Sequence, residues 1–395
     1  MNHKNQLELP LEIDVLEGLD ATGTTAGAIQ YVATKRGISE NEVLKKVSAG
    51  KRGEVSGFKR KIRWIQQTLK QQGLAVPVKR GSWSVTLKGK NALNKIKSGH
   101  LSIAFTTELG VALWGDCRDL PKLFKNEIDL IVTSPPYKLQ QEREYGNVKG
   151  ERAYLDWFLS RADEWLQLMR TPSSSIVVNL GDIWNPQEAS LSLYKEKLLL
   201  ELHEKLGLKL CQRFEWLNPA KPAAPIDYVA RKRIRVKPSL ETIWWLSLEP
   251  NNVNADNRRV LEDYLESTKK LIANGGMKET AYRPSGHRVR AGSFSEDQGG
   301  RIPHNLIVSG PEGANSHYCR SCRDNGIPIH PARFPLALPR FFINMLISDK
   351  EQMTADPFFG GGMTGQAAEL NGSRWVGTEQ VLEYLMGAKH RFGLI

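Results

Sequence analysis

Cysteine is scarce: four in 395 residues (Cys117, Cys211, Cys319 and Cys322). That is too few for a disulfide framework, so a reducing, cytoplasmic setting is expected. Long apolar runs are missing as well. No stretch approaches the ~18 residues of a membrane span, and the first ten residues, MNHKNQLELP, lack the apolar core of a secretion signal. No internal repeat or low-complexity tract stands out, which argues against a solenoid or a tail-like chain. Acidic residues are in deficit, 43 Asp and Glu against 55 Lys and Arg, for a net charge of +12. What remains, with 40% hydrophobic and 25% charged residues, is a globular chain long enough for two or three domains.

The basic excess sits at the front. Residues 1–100 carry 18 Lys and Arg against 8 Asp and Glu, leaving 37 against 35 for the rest. A basic head on a nearly neutral body fits a module that holds a polyanion. Within it, residues 26–47 read as two short helices broken at Gly37-Ile38-Ser39, with Ser39 able to cap the second. Residues 58–73 form an amphipathic helix, because Phe58, Ile62, Ile65 and Leu69 recur at spacings of 4, 3 and 4 and Gly73 stops it. A strand, a Lys-Arg-Gly turn, a second strand and a short helix follow, which describes a winged helix over residues 1–97. The run from Gly73 to Gly89 (GLAVPVKRGSWSVTLKG) resembles the N-terminal domain of Mrr-type restriction proteins. The resemblance implies DNA contact, with Lys59, Arg60, Lys61, Arg63, Lys79 and Arg80 as phosphate-contact candidates.

Residues 94–106 read as a linker, after which strands and helices alternate. VALWGDC, IDLIVTS, SSIVVNL, LKLCQRFEW and ETIWWLSL are short apolar runs of strand length, with helical stretches at Tyr154–Met169 and Leu191–Leu206 between them. Buried strands alternating with helices predict an α/β sheet covered on both faces. Periodicity fades over 249–329. It returns with a helix at PLALPRFFINMLI, a strand at MTADPFFG, a helix over Gln366–Leu370 and a strand at RWVGTE.

Two short motifs carry chemistry. Thr133-Ser134-Pro135-Pro136-Tyr137 follows the apolar strand IDLIV. An exocyclic amino group of a nucleobase is a poor nucleophile, because its lone pair is delocalised into the ring. Acceptors for its protons favour a nitrogen with an available lone pair. The Ser134 hydroxyl and the Pro135 carbonyl can accept, Pro136 helps fix their direction, and Tyr137 can stack on a base removed from the duplex. Farther on, Asp356-Pro-Phe-Phe-Gly360-Gly-Gly362-Met-Thr364-Gly follows a strand and opens a helix. Glycines there let backbone pass close to a ligand. Glu379 ends the next strand, 19 residues after Gly360, where an acid can bind ribose hydroxyls.

Over residues 108–395 the sequence resembles the beta-group amino-methyltransferases of restriction–modification systems, especially the branch acting on cytosine N4. There too the catalytic tetrapeptide precedes the glycine loop. LWGDC (113–117), YKLQQEREYGN (137–147), NPAKPAAPIDYVARKRIRVK (218–237), RPSGH (283–287), FSEDQGGRIPHNL (294–306) and HPARFP (330–335) look like family segments. The resemblance implies a Rossmann-like, seven-stranded core with permuted motif order. Its catalytic half would span 108–248, a target-recognition region 249–329, and the cofactor-binding half 330–395. The implied methyl donor is S-adenosyl-L-methionine. Its implied contacts are Asp116, His330, Phe334, Asp356, Phe358, Phe359, Gly360, Gly362, Thr364 and Glu379. The implied substrate is double-stranded DNA, with a cognate restriction endonuclease as companion and the oligomeric state open. The basic run Arg231, Lys232, Arg233, Arg235 and Lys237, together with Arg283 and His287, would touch DNA.

The Ser of SPPY points to cytosine N4, since adenine N6 members usually carry Asp or Asn there. Adenine N6 methylation is the alternative within this chemistry, and a non-catalytic DNA-binding regulator the alternative outside it. Methylation of RNA or protein fits the motif order and the winged helix less well. Cytosine C5 chemistry needs a nucleophilic Cys, typically after Pro, and none of the four follows one. Asn179 stands where close relatives carry an Asp proposed to assist the serine. Asp182 is a nearby substitute, and both are given only a supporting role. Cys319 and Cys322, with His317 and His330, fall short of the two close pairs of a zinc site, and no metal is expected. Trp244 and Trp245 read as core, and Trp216 as the tryptophan nearest to a base-stacking role.

Overall fold

The computed structural model describes residues 11–394 apart from 49–53, 72, 88, 91, 92, 94–100 and 138–149. Residues 138–147 of the segment 137–147, and residues 88, 91 and 92 in the short helix expected near residue 90, lie outside the described residues.

The front domain runs α1 (Leu11–Thr22), α2 (Thr25–Arg36), α3 (Glu40–Leu44), β1 (Lys46–Ser48), β2 (Glu54–Ser56), α4 (Gly57–Gln71), β3 (Ala75–Lys79) and β4 (Ser82–Val85). Ser39 caps α3 through a reciprocal pair with Glu42, as its spacing predicts. Ile62, Ile65 and Leu69 of α4 are fully buried against Leu16, Leu19 and Val32. Helix α1 was not expected, and burial explains why. Its inward face includes Asp14 and Glu17, which pair with Lys35 and Arg36 of α2 and blur the apolar period. Lys59 is half-buried, whereas Arg60, Lys61, Arg63, Lys79 and Arg80 are exposed.

The rest is built on one sheet in the order β13-β9-β10-β8-β7-β14-β15-β6-β5. Its strands are β5 (Ser102–Thr106), β6 (Gly110–Trp114), β7 (Leu130–Thr133), β8 (Ser175–Leu180), β9 (Lys209–Leu217), β10 (Leu240–Ser247), β13 (Leu306–Val308), β14 (Met353–Asp356) and β15 (Arg374–Glu379). β8, β7, β14, β15 and β6 are mutually parallel, while β10 and β5 run antiparallel to their neighbours. Among the described residues the sheet thus has nine strands rather than seven. The extra ones are β5, at a position expected to be linker, and the three-residue β13, too short to show a period of its own.

Leu130 and Val132 of β7 join one core layer and Ile131 the other, so the strand is apolar throughout. The helices Glu151–Leu168 and Tyr194–Leu206 cover one face through Leu155, Trp165 and Leu198. The helices Ala337–Leu346, Met363–Asn371 and Leu382–Ala388 cover the other through Phe342, Ala367 and Leu385. Trp216, Trp244 and Trp245 are all core, and the Trp216 indole donates to the Ser309 carbonyl at 2.8 Å. Among the described residues no helix is long and apolar enough to cross a membrane.

Residues 249–329 hold the helices Glu266–Ala273 and His317–Asp324 and a small hairpin, β11 (Ala281–Tyr282) with β12 (Arg288–Val289). Arg283 and His287 sit at its exposed tip, where the Arg283 N–H donates to the His287 carbonyl at 2.8 Å.

Candidate active site

The two motifs meet at the carboxyl ends of β7, β14, β15 and β6, the crevice where doubly wound sheets bind ligands. A buried carboxylate joins them. Asp356, at the end of β14, accepts from the Thr133 hydroxyl and from the Thr364 hydroxyl, each at 2.7 Å, and from the Phe358 N–H at 3.0 Å. Burial raises the Asp356 carboxyl to about 6, against the pull of these donors. The knot holds the residue before Ser134 and the helix after the glycine bend at a fixed separation. Asp356 and Thr364, both 1% exposed, are therefore struts of the loop rather than surfaces offered to a ligand.

Ser134 directly follows β7. Its hydroxyl lies 3.2 Å from the Tyr137 hydroxyl and 3.4 Å from the Asn179 carbonyl on β8. The Tyr137 hydroxyl donates to Glu241 of β10 at 2.8 Å and accepts from the Asn179 amide at 2.9 Å. The same Asn179 amide donates to Glu241 at 3.0 Å, and Lys221 approaches the other Glu241 oxygen at 3.0 Å. Burial, and next the Glu241 charge, hold the Tyr137 phenol well above its usual ionisation range. Its ring lies on Gly181, where a Cβ would come within 2.7 Å of a ring carbon. The Pro136 carbonyl is held by the Tyr154 hydroxyl at 3.0 Å.

On the other side of the knot the chain bends with φ of 51° at Gly360 and 83° at Gly362. The Gly360 N–H donates to Glu379 at 2.9 Å, and the other Glu379 oxygen takes the Val381 N–H at 2.8 Å. Burial raises the Glu379 carboxyl to about 7. Glu379 pairs in register with Trp114, so Asp116, two residues beyond the end of β6, lies at the adjacent strand end. Asp116 is held by Arg118 at 2.8 Å and Gln380 at 3.1 Å. The His330 ring closes against Gly360, and burial lowers its pKa to about 4, so it is neutral at pH 7. Phe334 is half-buried at the core's edge.

Besides Asp356 and Thr364, a third expected contact is corrected by its burial. Phe359 is 3% exposed and stacks at 8° on Trp375, over Gly377 and Gly365. The two phenylalanines of the motif part company: Phe359 enters the core, while Phe358 is half-buried against Trp157 and Trp165. Asp182 is also committed elsewhere, to Lys195 at 2.5 Å.

Further residues complete the site, Glu241 and Arg391 outside every family segment and Lys221 and Arg333 inside 218–237 and 330–335. Besides Glu241 and Lys221, Arg391 donates to the Gly361 carbonyl at 2.5 Å, lies 4.0 Å over the Tyr318 ring and pairs with Glu312. Arg333, from HPARFP, meets the same Glu312 at 3.1 Å. The tether thus braces the outside of the glycine bend. Cys319 and Cys322 pack with Tyr318, Ile327 and Ile329 in a small apolar cluster.

The basic run is exposed from Arg231 to Lys237. Lys232 pairs with Asp227 at 2.8 Å, Arg235 donates to the Ala189 carbonyl at 2.8 Å, and Lys237 to the Pro219 carbonyl at 3.1 Å. The Asp227 pair offsets one charge, and the two carbonyl contacts orient the loop without neutralising the rest.

Residues 128–390 match a family model described as DNA methylase, and residues 12–95 match the Mrr N-terminal domain. The Type II methyltransferase M.PvuII of Proteus hauseri is 38% identical over 291 residues, 73% of this chain and 85% of that protein. The Type II methyltransferase M.BglII of Bacillus subtilis is 24% identical over 263 residues, 66% of this chain and 62% of that protein. Among solved structures, the PvuII DNA methyltransferase (cytosine-N4-specific) matches with a TM-score of 0.58 at 32% identity, covering 73% of this chain and 88% of its own.

Proposed function

The chain belongs to the DNA methylase family, and from that premise we propose that it methylates N4 of a cytosine turned out of double-stranded DNA, using S-adenosylmethionine. The observation that carries this reading is the Asp356 knot, which sets Ser134 beside a glycine bend backed by Glu379. The bend suits a nucleoside donor. Its glycines leave the backbone uncovered, and the Glu379 and Asp116 carboxyls stand at neighbouring strand ends, where ribose hydroxyls can donate to them. That donor supplies a methyl group on a cationic sulfur, already activated for displacement.

The chain's own groups do the rest. Ser134 and the Pro135 carbonyl accept the two amino protons, which turns the nitrogen lone pair toward the donor. Tyr137 and the half-buried Phe358 flank the pocket as candidate aromatic surfaces. Removing the base from water and holding it in line supply most of the acceleration. Asp116, His330, Phe334, Gly360, Gly362 and Glu379 are the donor-binding set, with Asp356 and Thr364 holding the loop's shape.

On the DNA side, the winged helix and the Arg231–Lys237 loop contact phosphates. Residues 249–329, with Arg283 and His287 at a hairpin tip, read the target. A restriction endonuclease blocked by the same modification is the implied companion. The test is transfer of label from methyl-tritiated S-adenosylmethionine to unmodified duplex DNA. No transfer to DNA would favour a non-catalytic regulator, and transfer to RNA alone would reassign the substrate.

A further inference from the structure

We propose that Glu241 is a positioning residue of the methyl-transfer site. It sets the direction of the Ser134 hydroxyl and takes up, through Tyr137, the proton that the target amino group loses. The inference rests on the amino-methylation reading and goes beyond it to a residue outside every motif.

The hydrogen-bond directions follow from the charge. Glu241 is 13% exposed and faces Lys221, so its ionised form is paired. An ionised carboxylate only accepts. The Tyr137 O–H at 2.8 Å must therefore point at Glu241. The Asn179 amide at 2.9 Å fills one acceptor position of the Tyr137 oxygen. What remains there is one lone pair, 3.2 Å from Ser134, and Ser134 must be the donor. Its only other partner among the described residues, the Asn179 carbonyl at 3.4 Å, also accepts. Either way the Ser134 proton points toward the network. Its lone pairs are left for the amino protons of the base.

Asn179 gives independent support. Its Nδ2 serves both Tyr137 and Glu241, while its Oδ1 is buried with no hydrogen-bond partner among the described residues. Leaving an acceptor unmade is costly, and turning the amide over would set that oxygen against the Glu241 carboxylate. The charge therefore dictates the orientation.

The proton balance closes on groups already in place. As the N–C bond forms, the C–S bond breaks with its electron pair on sulfur, and N4 becomes cationic with two protons. One passes to Ser134 Oγ, the Ser134 proton to Tyr137 Oη, and the Tyr137 proton to Glu241 Oε2. Both hydroxyls end with one proton each and Glu241 ends neutral. Because the Tyr137 phenol resists ionisation, it passes a proton only as it gains one.

The test uses the full chain, unmodified duplex DNA and labelled S-adenosylmethionine in single turnovers. Glu241→Gln keeps the shape but can donate, which frees the Tyr137 proton to turn toward Ser134. Expected is a rate loss of about a hundredfold, with donor and DNA dissociation constants within about twofold. Glu241→Asp should recover most of the rate. Tyr137→Phe should lose as much, and the double variant no more than the worse single one, since both cut one chain. A Glu241→Gln rate within about tenfold of the parent would overturn the proposal. So would a loss confined to the dissociation constants, or losses that multiply in the double variant. If Glu241→Gln does not fold, Tyr137→Phe, which deletes a single oxygen, decides on the same thresholds. If the unaltered protein transfers no methyl group, the broader reading fails instead.

Discussion

The glycine bend and the serine pocket lie on either side of one buried aspartate, yet they are held in opposite ways. The bend is braced mostly close in sequence: Asp356, Thr364 and Glu379 all fall within 24 residues, while Thr133, His330 and the outer Glu312–Arg391 tether come from farther away. The serine pocket is assembled across the sheet. Ser134 comes from the segment just after β7, Asn179 from β8, Glu241 from β10 and Lys221 from the loop before β10. A donor-binding bend can therefore travel as a motif, whereas the environment that makes a serine an acceptor depends on strand order.

Breaking the serine side should have the largest effect. Ser134→Ala should slow single-turnover methylation by on the order of a hundredfold or more while the donor dissociation constant stays within about twofold. An unchanged rate would remove Ser134 from the mechanism. Breaking the bend should do the reverse. Glu379→Ala should weaken donor binding by about tenfold, measured calorimetrically, with a smaller change in single-turnover rate at saturation.

A pH series sharpens the contrast. Ribose hydroxyls donate to the ionised carboxylate, and burial has raised the Glu379 carboxyl to about 7. Donor affinity should therefore be highest above that pH and fall as pH drops below it, because binding must then expel a proton. Glu379→Gln should flatten the curve; a wild-type curve that is already flat would contradict the ribose role. Smaller still is the packing cost beneath the bend. A Cβ at position 377 would lie 2.1 Å from the Phe359 ring, so Gly377→Ala should lower stability by about 1–3 kcal/mol in urea melts. On the front domain, Arg60→Gln with Arg63→Gln should reduce the slope of log affinity against log salt by about 2 if both touch phosphates. An unaltered slope would take α4 off the DNA.

Most of the parallel sheet was legible because its strands are buried on both faces and read as apolar runs. β5 was not, since as an edge strand it leaves Ile103 and Thr106 exposed, and β13 was not, since three residues show no period. α1 was hidden by inward-facing Asp14 and Glu17, whose partners lie on the next helix. At the site, SPPY and the glycine bend could be read because their chemistry is contiguous. Glu241 and Lys221 could not: nothing in LETIWW or NPAKP distinguishes a site carboxylate or its partner from surface charge. Only the antiparallel register of β10 on β8, with Thr242 opposite Leu180 and Ile243 opposite Asn179, brings Glu241 to the pocket. Phe359 was misassigned because sequence alone cannot say which of two adjacent aromatics faces the ligand.

In the proposed reaction an amino nitrogen of cytosine receives the methyl group beside Ser134. Duplex DNA from a modification-deficient host, methylated by the protein, digested to nucleosides and resolved by mass spectrometry, tests it directly. N4-methyldeoxycytidine is the product expected, appearing with the unaltered protein and vanishing with Ser134→Ala. N6-methyldeoxyadenosine, or 5-methyldeoxycytidine, in its place would contradict the account.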